Sequence, residues 1–140
     1  MALPSQLKLQ IVSADKSLVS ETVDEVEIPG ADGFFGVLPG HTPLLALLGA
    51  GEMWYRRGTT THHLVIALGF AEIQPDAVTI LAQVAERADD IDIARADAAK
   101  RRAEERLAKP TIDMDFERAR LALLKSLIRL QVASRVRIRV

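Results

Sequence analysis

The apolar residues of this chain change their period once, at Ile91-Asp92-Ile93-Ala94-Arg95-Ala96. Before that stretch they alternate in short runs broken by Gly and Pro. After it they recur every three or four residues among Ala, Arg, Glu and Leu. Alternation suits half-buried strands, and the longer period suits amphipathic helices. The chain is therefore expected to fold as a strand-rich domain over residues 1–88 and a helical domain over residues 89–140. Asp92 stands where a helix N-cap is needed: its carboxylate can accept a first-turn N–H and meets the positive end of the helix.

Leu7, Leu9 and Ile11 alternate with Lys8, Gln10 and Val12, and Val19, Val23, Val26 and Ile28 continue the extended pattern. Two turn clusters follow, at 29–33 and 38–41. The segments 52–57 and 62–67 are expected to form a hairpin around Gly58-Thr59-Thr60-Thr61. A second hairpin is expected from 69–73 and 78–84 around Gln74-Pro75-Asp76-Ala77, with Pro75 at the first corner. Short strands at regular spacing indicate an antiparallel sandwich or barrel.

Little in this part suggests catalysis. The glycines from Gly30 to Gly40 lack the GK[ST] and the following helix of a phosphate loop. His62 and His63 are adjacent, so on a strand they face opposite sides and cannot chelate one metal; both are expected at the hairpin surface. His41 has no Ser or Cys nucleophile in a recognisable spacing, and a structural or interface role is expected for it. Trp54 and Tyr55 also point to opposite faces, one to the core and the other to a partner surface. With no cysteine there are no disulfides and no Cys metal site, which fits a cytoplasmic setting. Neither a secretory signal nor an apolar stretch of membrane-spanning length is evident.

The net charge of −1 conceals an asymmetry. Residues 1–90 hold five Lys and Arg against twelve Asp and Glu, a net −7, whereas residues 91–140 hold thirteen against seven, a net +6. Two such segments either attract each other or meet different partners.

In the helical part, Ala96, Ala99, Ala103 and Leu107 share one face, and Arg95, Arg102 and Arg106 form a stripe beside it. Lys109-Pro110-Thr111 ends this helix. A second begins near Asp113 or Asp115. Its seam is expected to be Phe116, Ala119, Leu123, Leu127 and Leu130, packed on the alanine face. Leu121, Leu124, Ile128 and Val132 are left outside, a surplus that must meet the sandwich or another protein. Arg118, Lys125 and Arg129 form a second basic stripe. The last six residues, 135–140, alternate as a strand would and leave three outcomes open: fraying, helix extension or pairing with a partner edge.

The run Ile28-Pro29-Gly30-Ala31-Asp32-Gly33-Phe34-Phe35-Gly36-Val37-Leu38-Pro39-Gly40-His41-Thr42-Pro43-Leu44-Leu45 resembles the epsilon subunit of bacterial F-type ATP synthase. Gly51, Gly69-Phe70-Ala71-Glu72, 78–82 and the helix-opening Ile91-Asp92-x-x-Arg95-Ala96 agree in order and spacing. The resemblance implies a sandwich of about ten antiparallel strands carrying a C-terminal antiparallel two-helix hairpin. It implies a non-catalytic rotor subunit of the central stalk, peripheral on the cytoplasmic face of the bacterial membrane. The implied partners are the gamma subunit, the c-ring and the alpha and beta subunits, with no nucleic acid and no membrane insertion. Asp32, Phe34, Phe35 and His41 then fall near the c-ring and the foot of gamma. Arg118, Lys125 and Arg129 fall where an inhibitory hairpin meets an acidic loop of beta.

The same resemblance implies ATP as a regulatory ligand, with no cofactor required. Ile91, Asp92, Arg95 and Ala96 match the family's ATP motif, and Glu86, Arg102 and Arg129 fall where that site has polar contacts. Lys125 stands where an arginine is usual. The competing account is that Asp92 and Arg95 only cap and brace the helix. Two other functions compete: a free-standing ATP-sensing helical clamp, and a small hydrolase. The hydrolase lacks a nucleophile–base pair, a metal spacing and a phosphate loop.

Overall fold

The structure is a computed structural model that describes residues 3–137. It divides into two compact units, Met1–Arg87 and Ala88–Val140.

Eight strands build the first unit: β1 (Leu7–Val12), β2 (Ser17–Val23), β3 (Glu25–Gly30), β4 (Gly33–Val37), β5 (Leu44–Leu47), β6 (Gly51–Arg57), β7 (Thr60–Gln74) and β8 (Ala77–Arg87). They are hydrogen-bonded in the order β2-β1-β8-β7-β6-β3-β4, with β5 also on β7. The two long strands serve both layers. Residues 60–66 of β7 pair with β6 and residues 70–73 with β5, while β1 pairs with the first half of β8. The layers are thus β2-β1-β8-β7-β5 and β8-β7-β6-β3-β4. Eight strands stand where about ten were expected, and ten segments reappear once the halves of β7 and β8 are counted separately. The β1–β8 pair is parallel, from Lys8↔Ala77 to Val12↔Leu81, an exception to the expected antiparallel order. Alternation marks a strand's two faces and carries no sign of its neighbour's direction.

Alternate residues of both layers enclose one core. Leu7, Leu9, Ile11, Met53, Tyr55, Leu64, Ile66, Ile73 and Ile80 are each at most 1% exposed. Full burial of a side chain of this size contributes about 1.5–3 kcal/mol. Where β7 passes between layers, Leu68 adopts φ 60°, a left-handed conformation that costs a non-glycine residue about 1–2 kcal/mol. The next residue must be glycine, because a Cβ at position 69 would stand 1.9 Å from the Leu81 carbonyl oxygen.

The β6–β7 turn is tighter than expected. Arg57 pairs with Thr60, leaving only Gly58-Thr59, with Gly58 at φ 62°. Asp24 closes over it, accepting the Gly58 N–H at 2.7 Å and the Gln6 side-chain amide at 3.1 Å. Arg56 lies 3.6 Å from Asp24 and 3.4 Å from Glu25. The expectation that His62 and His63 lie at the surface is corrected, since both are half-buried. His62 is the cross-strand partner of core residue Tyr55 and stacks on its ring at 4.8 Å. His63, on the other face, lies 3.8 Å from Glu52. Trp54 is half-buried on the face opposite buried Tyr55.

The second unit opens with a 3-10 turn, Ala88–Asp90, followed by α1 (Ile93–Ala108) and α2 (Phe116–Arg137). Helix α1 ends as Lys109 N–H bonds the Glu105 carbonyl, and Pro110 cannot continue the ladder. Asp115 opens α2, its carboxylate accepting the Arg118 N–H at 3.0 Å. Ala96 and Ala103 are buried on α1; Ala119, Ser126 and Ala133, seven residues apart, are buried on α2. The expected seam is therefore corrected. It centres on small residues, while Phe116 and Leu127 are 50% and 43% exposed. Small side chains let helix axes approach closely, and a phenylalanine in that line would hold them apart. Ile128 and Val132, expected outside, are buried, and α2 also packs on the turn Ala88–Asp90. The expected alternating tail is helical over its first residues, Arg135, Val136 and Arg137; Ile138, Arg139 and Val140 lie outside the described residues.

Candidate functional site

The expected site residues fall on the helices and around the β3–β4 turn, with Glu86 on β8. On the helical unit, Asp92 takes φ −80° and ψ 100°, and its Oδ1 accepts the Arg95 N–H at 3.0 Å. This is N-cap geometry: the cap residue stays extended while its side chain satisfies a free first-turn donor. One Asp92 oxygen is thus committed to the helix. Ile91 and Ala96 are buried, so their side chains position α1 and present nothing to solvent.

The cations are arranged differently. Arg95, Arg102 and Arg106 are exposed and recur at seven and four residues, so helix geometry sets them along one stripe. On α2, Arg118, Lys125 and Arg129 share a stripe by the same geometry. Arg118 is exposed, whereas Lys125 and Arg129 are half-buried. Among the other basic residues, Arg101 pairs with Asp97 at 2.8 Å and Arg120 with Glu117 at 3.7 Å, each within its own helix. Glu86 lies on the first unit, one residue before the end of β8, paired across to Val65. Of the proposed ATP contacts, seven thus fall on the helical unit and one on the sandwich.

The second set surrounds the β3–β4 turn. Asp32 is exposed in the turn. Phe34 and Phe35 lie on β4 itself, so alternation separates them. Phe34 is 62% exposed, and Phe35 packs against the core. Phe35 therefore packs into the sandwich, and Phe34 alone of the pair is exposed. Half-buried His41 donates from Nδ1 to the Thr42 carbonyl at 2.6 Å, leaving Nε2 for another partner. A shallow groove beside it is lined by Glu25, Gly36, Leu38, Pro39, Gly40 and His41.

The structure adds residues that pattern reading passed over. Leu45, Leu47, Leu68, Phe70 and Leu81 are between 38% and 71% exposed. In 44–48 the unbroken run Leu-Leu-Ala-Leu-Leu hides which residues face outward, and only the register with β7 separates them. Among the described residues no group of three or more His, Asp or Glu could hold a metal ion. None of their helices is long and apolar enough to cross a membrane.

Comparison with known proteins bears on both units. Residues 6–88 match the family model for the ATP synthase delta/epsilon chain beta-sandwich domain, and residues 89–134 match that for its long alpha-helix domain. The ATP synthase epsilon chain of Nitratidesulfovibrio vulgaris is 49% identical over 126 residues, covering 90% of this chain and 94% of that one. The epsilon chain of Syntrophobacter fumaroxidans is 48% identical over 130 residues, covering 93% and 97%. A chain in the Euglena gracilis mitochondrial ATP synthase, solved with OSCP, F1 and c-ring, superposes with a TM-score of 0.71 at 23% identity, covering 99% of this chain and 83% of that one.

Proposed function

This chain belongs to the ATP synthase delta/epsilon family, and from that premise we propose how its two units act. It is a non-catalytic central-stalk subunit of the ATP synthase, a membrane-associated complex. The observation that carries the reading is that both family domains match in order across residues 6–134.

In this reading the sandwich is held by the gamma subunit and rests on the c-ring at the cytoplasmic face of a bacterial membrane. Asp32, exposed Phe34 and His41 supply the contact; Phe35 supports it from the core side. The helical hairpin restrains ATP hydrolysis by reaching the alpha and beta subunits. Its basic stripe, Arg118, Lys125 and Arg129, supports this, as does the exposed apolar surface of Phe116, Leu124 and Leu127. ATP acts as a regulatory ligand of the helical unit, bound through Asp92, Arg95, Arg102, Lys125 and Arg129. A triphosphate would relieve repulsion among such cations through charge-assisted hydrogen bonds.

The test adds the purified chain to ATP synthase stripped of this subunit. The full chain is expected to bind and to lower ATP hydrolysis. A chain ending at residue 111 is expected to bind equally and leave hydrolysis high. A full chain that stays a free monomer, or a truncated chain that represses as well as the full one, would sink the assignment of coupling to the sandwich and restraint to the hairpin.

A further inference from the structure

We infer that residues 109–115 form a permanent joint: α1 and α2 stay two separate helices while the hairpin restrains hydrolysis, and α2 meets the alpha and beta subunits as a self-capped rod bent off the axis of α1. The inference rests on the restraint proposed above and says how the hairpin carries it out. Fusion into one rod is the alternative. A continuous helix over residues 93–137 would be about 68 Å long, against about 33 Å for α2 alone. The two geometries therefore deliver Arg118, Lys125 and Arg129 to different depths.

Pro110 supplies the first step. It has no N–H for the Arg106 carbonyl four residues back, and in a helix its ring would collide with that carbonyl. Proline also disfavours the helical region for the residue before it, and Lys109 stands outside that region, at φ −129° and ψ 68°. The chain then turns, with the Met114 N–H donating to the Thr111 carbonyl at 3.1 Å. Asp115 starts α2 afresh. Its Oδ1 accepts the Arg118 N–H at 3.0 Å, and its carbonyl accepts the Ala119 N–H at 3.2 Å, the two bonds of an N-cap residue.

Packing does not hold this joint. Six of the seven residues 109–115 are exposed, Ile112 completely, and Met114 is half-buried. Local backbone chemistry fixes the break, and that chemistry is the same whether or not partners draw α2 away from α1. The helical seam is built differently. It closes on Ala96 and Ala103 of α1 and on Ala119, Ser126 and Ala133 of α2, small side chains that bury little apolar area. The seam is thus the part that yields to a partner, and the joint is the part that persists.

A distance measurement in the assembled ATP synthase tests this. The chain has no cysteine, so Ala98→Cys and Gln131→Cys, both at exposed positions, each take a nitroxide label before the chain is added to the subunit-depleted enzyme. A continuous helix would hold the two positions about 50 Å apart, at about 1.5 Å per residue. Where the labelled chain restrains hydrolysis, the distance is expected to stay below about 40 Å. Pro110→Ala in the same labelled chain lifts the block and is expected to add a population near about 50 Å. A distribution centred near that longer value with proline in place overturns the inference alone, because restraint itself is intact. Identical short distances in the Pro110→Ala chain also overturn it, since proline then does not hold the joint. An unaltered chain that fails to bind, or binds without restraining hydrolysis, overturns it together with the restraint reading, and the hydrolysis assay shows that failure before any label is attached.

Discussion

Gly69 presses so closely on Leu81 that a Cβ added at 69 would stand 1.9 Å from the Leu81 carbonyl oxygen and 2.8 Å from Ala82 Cα. Both are backbone atoms, so no side-chain rotation can make room. Gly69→Ala must push β7 off β8 where both strands join the two layers, and a loss of about 3 kcal/mol is expected. Gly36 is the control, because a Cβ there meets nothing within 4 Å. Gly36→Ala should stay within about 0.5 kcal/mol. Urea midpoints of the two variants check this, and equal midpoints would show that the close approach is not structural.

The clasp over the β6–β7 turn makes stability depend on acid. The Gly58 N–H, then the Gln6 amide and Arg56, hold the Asp24 carboxyl below its ordinary value of 3.8. A group whose pKa is lower when folded stabilises above its unfolded pKa and loses that contribution as pH falls through the folded one. The thermal midpoint should therefore drop between about pH 5 and pH 2. Asp24→Asn, which keeps an acceptor for Gly58, should flatten that limb. Tyr55 sets the opposite limit. Burial, followed by the charge and hydrogen bond of Glu21, raises its hydroxyl to about 12. The folded state then favours the neutral phenol, and stability falls as pH rises from 10 toward 12. An acid limb unaltered by Asp24→Asn would remove the clasp from this account.

How much of this was legible in the sequence depended on whether the signal was local. Leu7, Leu9 and Ile11 alternate, and all three are buried. Asp92 reads as one helix opener and Asp113 or Asp115 as the other, and Asp92 and Asp115 cap through their carboxylates. Partner identity is not local. Nothing in 77–81 announces that β1 lies alongside in parallel, or that Leu47, Phe70 and Leu81 share a row. The helical seam misled for a related reason. Large apolar residues carry the periodic signal, yet close helix packing chose Ala119, Ser126 and Ala133 and left Phe116 and Leu127 outward. Adjacency in a hairpin suggests a surface position for His62, and only its cross-strand partner, Tyr55, explains its half-burial. Family resemblance supplied what periodicity could not, chiefly the proposed ATP contacts and the proposed stalk partners.

Whether Asp92 and Arg95 bind ATP or only open the helix is separable by their chemistry. The cap bond uses the Arg95 backbone N–H, which Arg95→Ala retains. Arg95→Ala should therefore leave hairpin stability unchanged, while Asp92→Ala lowers it by about 1 kcal/mol. If the site binds ATP, calorimetry should show binding to the unaltered chain that Arg95→Ala weakens by about tenfold, the scale of one charge-assisted contact. Lysine at position 125 keeps its charge and lacks the planar fork, so Lys125→Arg should tighten binding. Absence of heat at millimolar ATP, or identical affinity in Arg95→Ala, leaves capping as the whole role of this pair.

If the hairpin restrains hydrolysis as proposed, that restraint should be sensitive to salt in a way that locates the charges. Arg118 is exposed and Lys125 half-buried, so their attraction to an acidic surface is screened as the Debye length falls from about 10 Å at 0.1 M to about 3 Å at 1 M salt. Each exposed pair is worth at most about 1 kcal/mol, a factor of about five in the equilibrium. Arg118→Gln and Lys125→Gln should each raise hydrolysis severalfold at low salt, and the difference from the unaltered chain should vanish near 1 M. Truncation at residue 111 sets the unrestrained rate at every salt concentration, which removes direct salt effects on the catalytic subunits. If the glutamine variants repress fully at low salt, the restraint is held by the apolar surface of Phe116, Leu124 and Leu127, and the basic stripe is a solvated helix face.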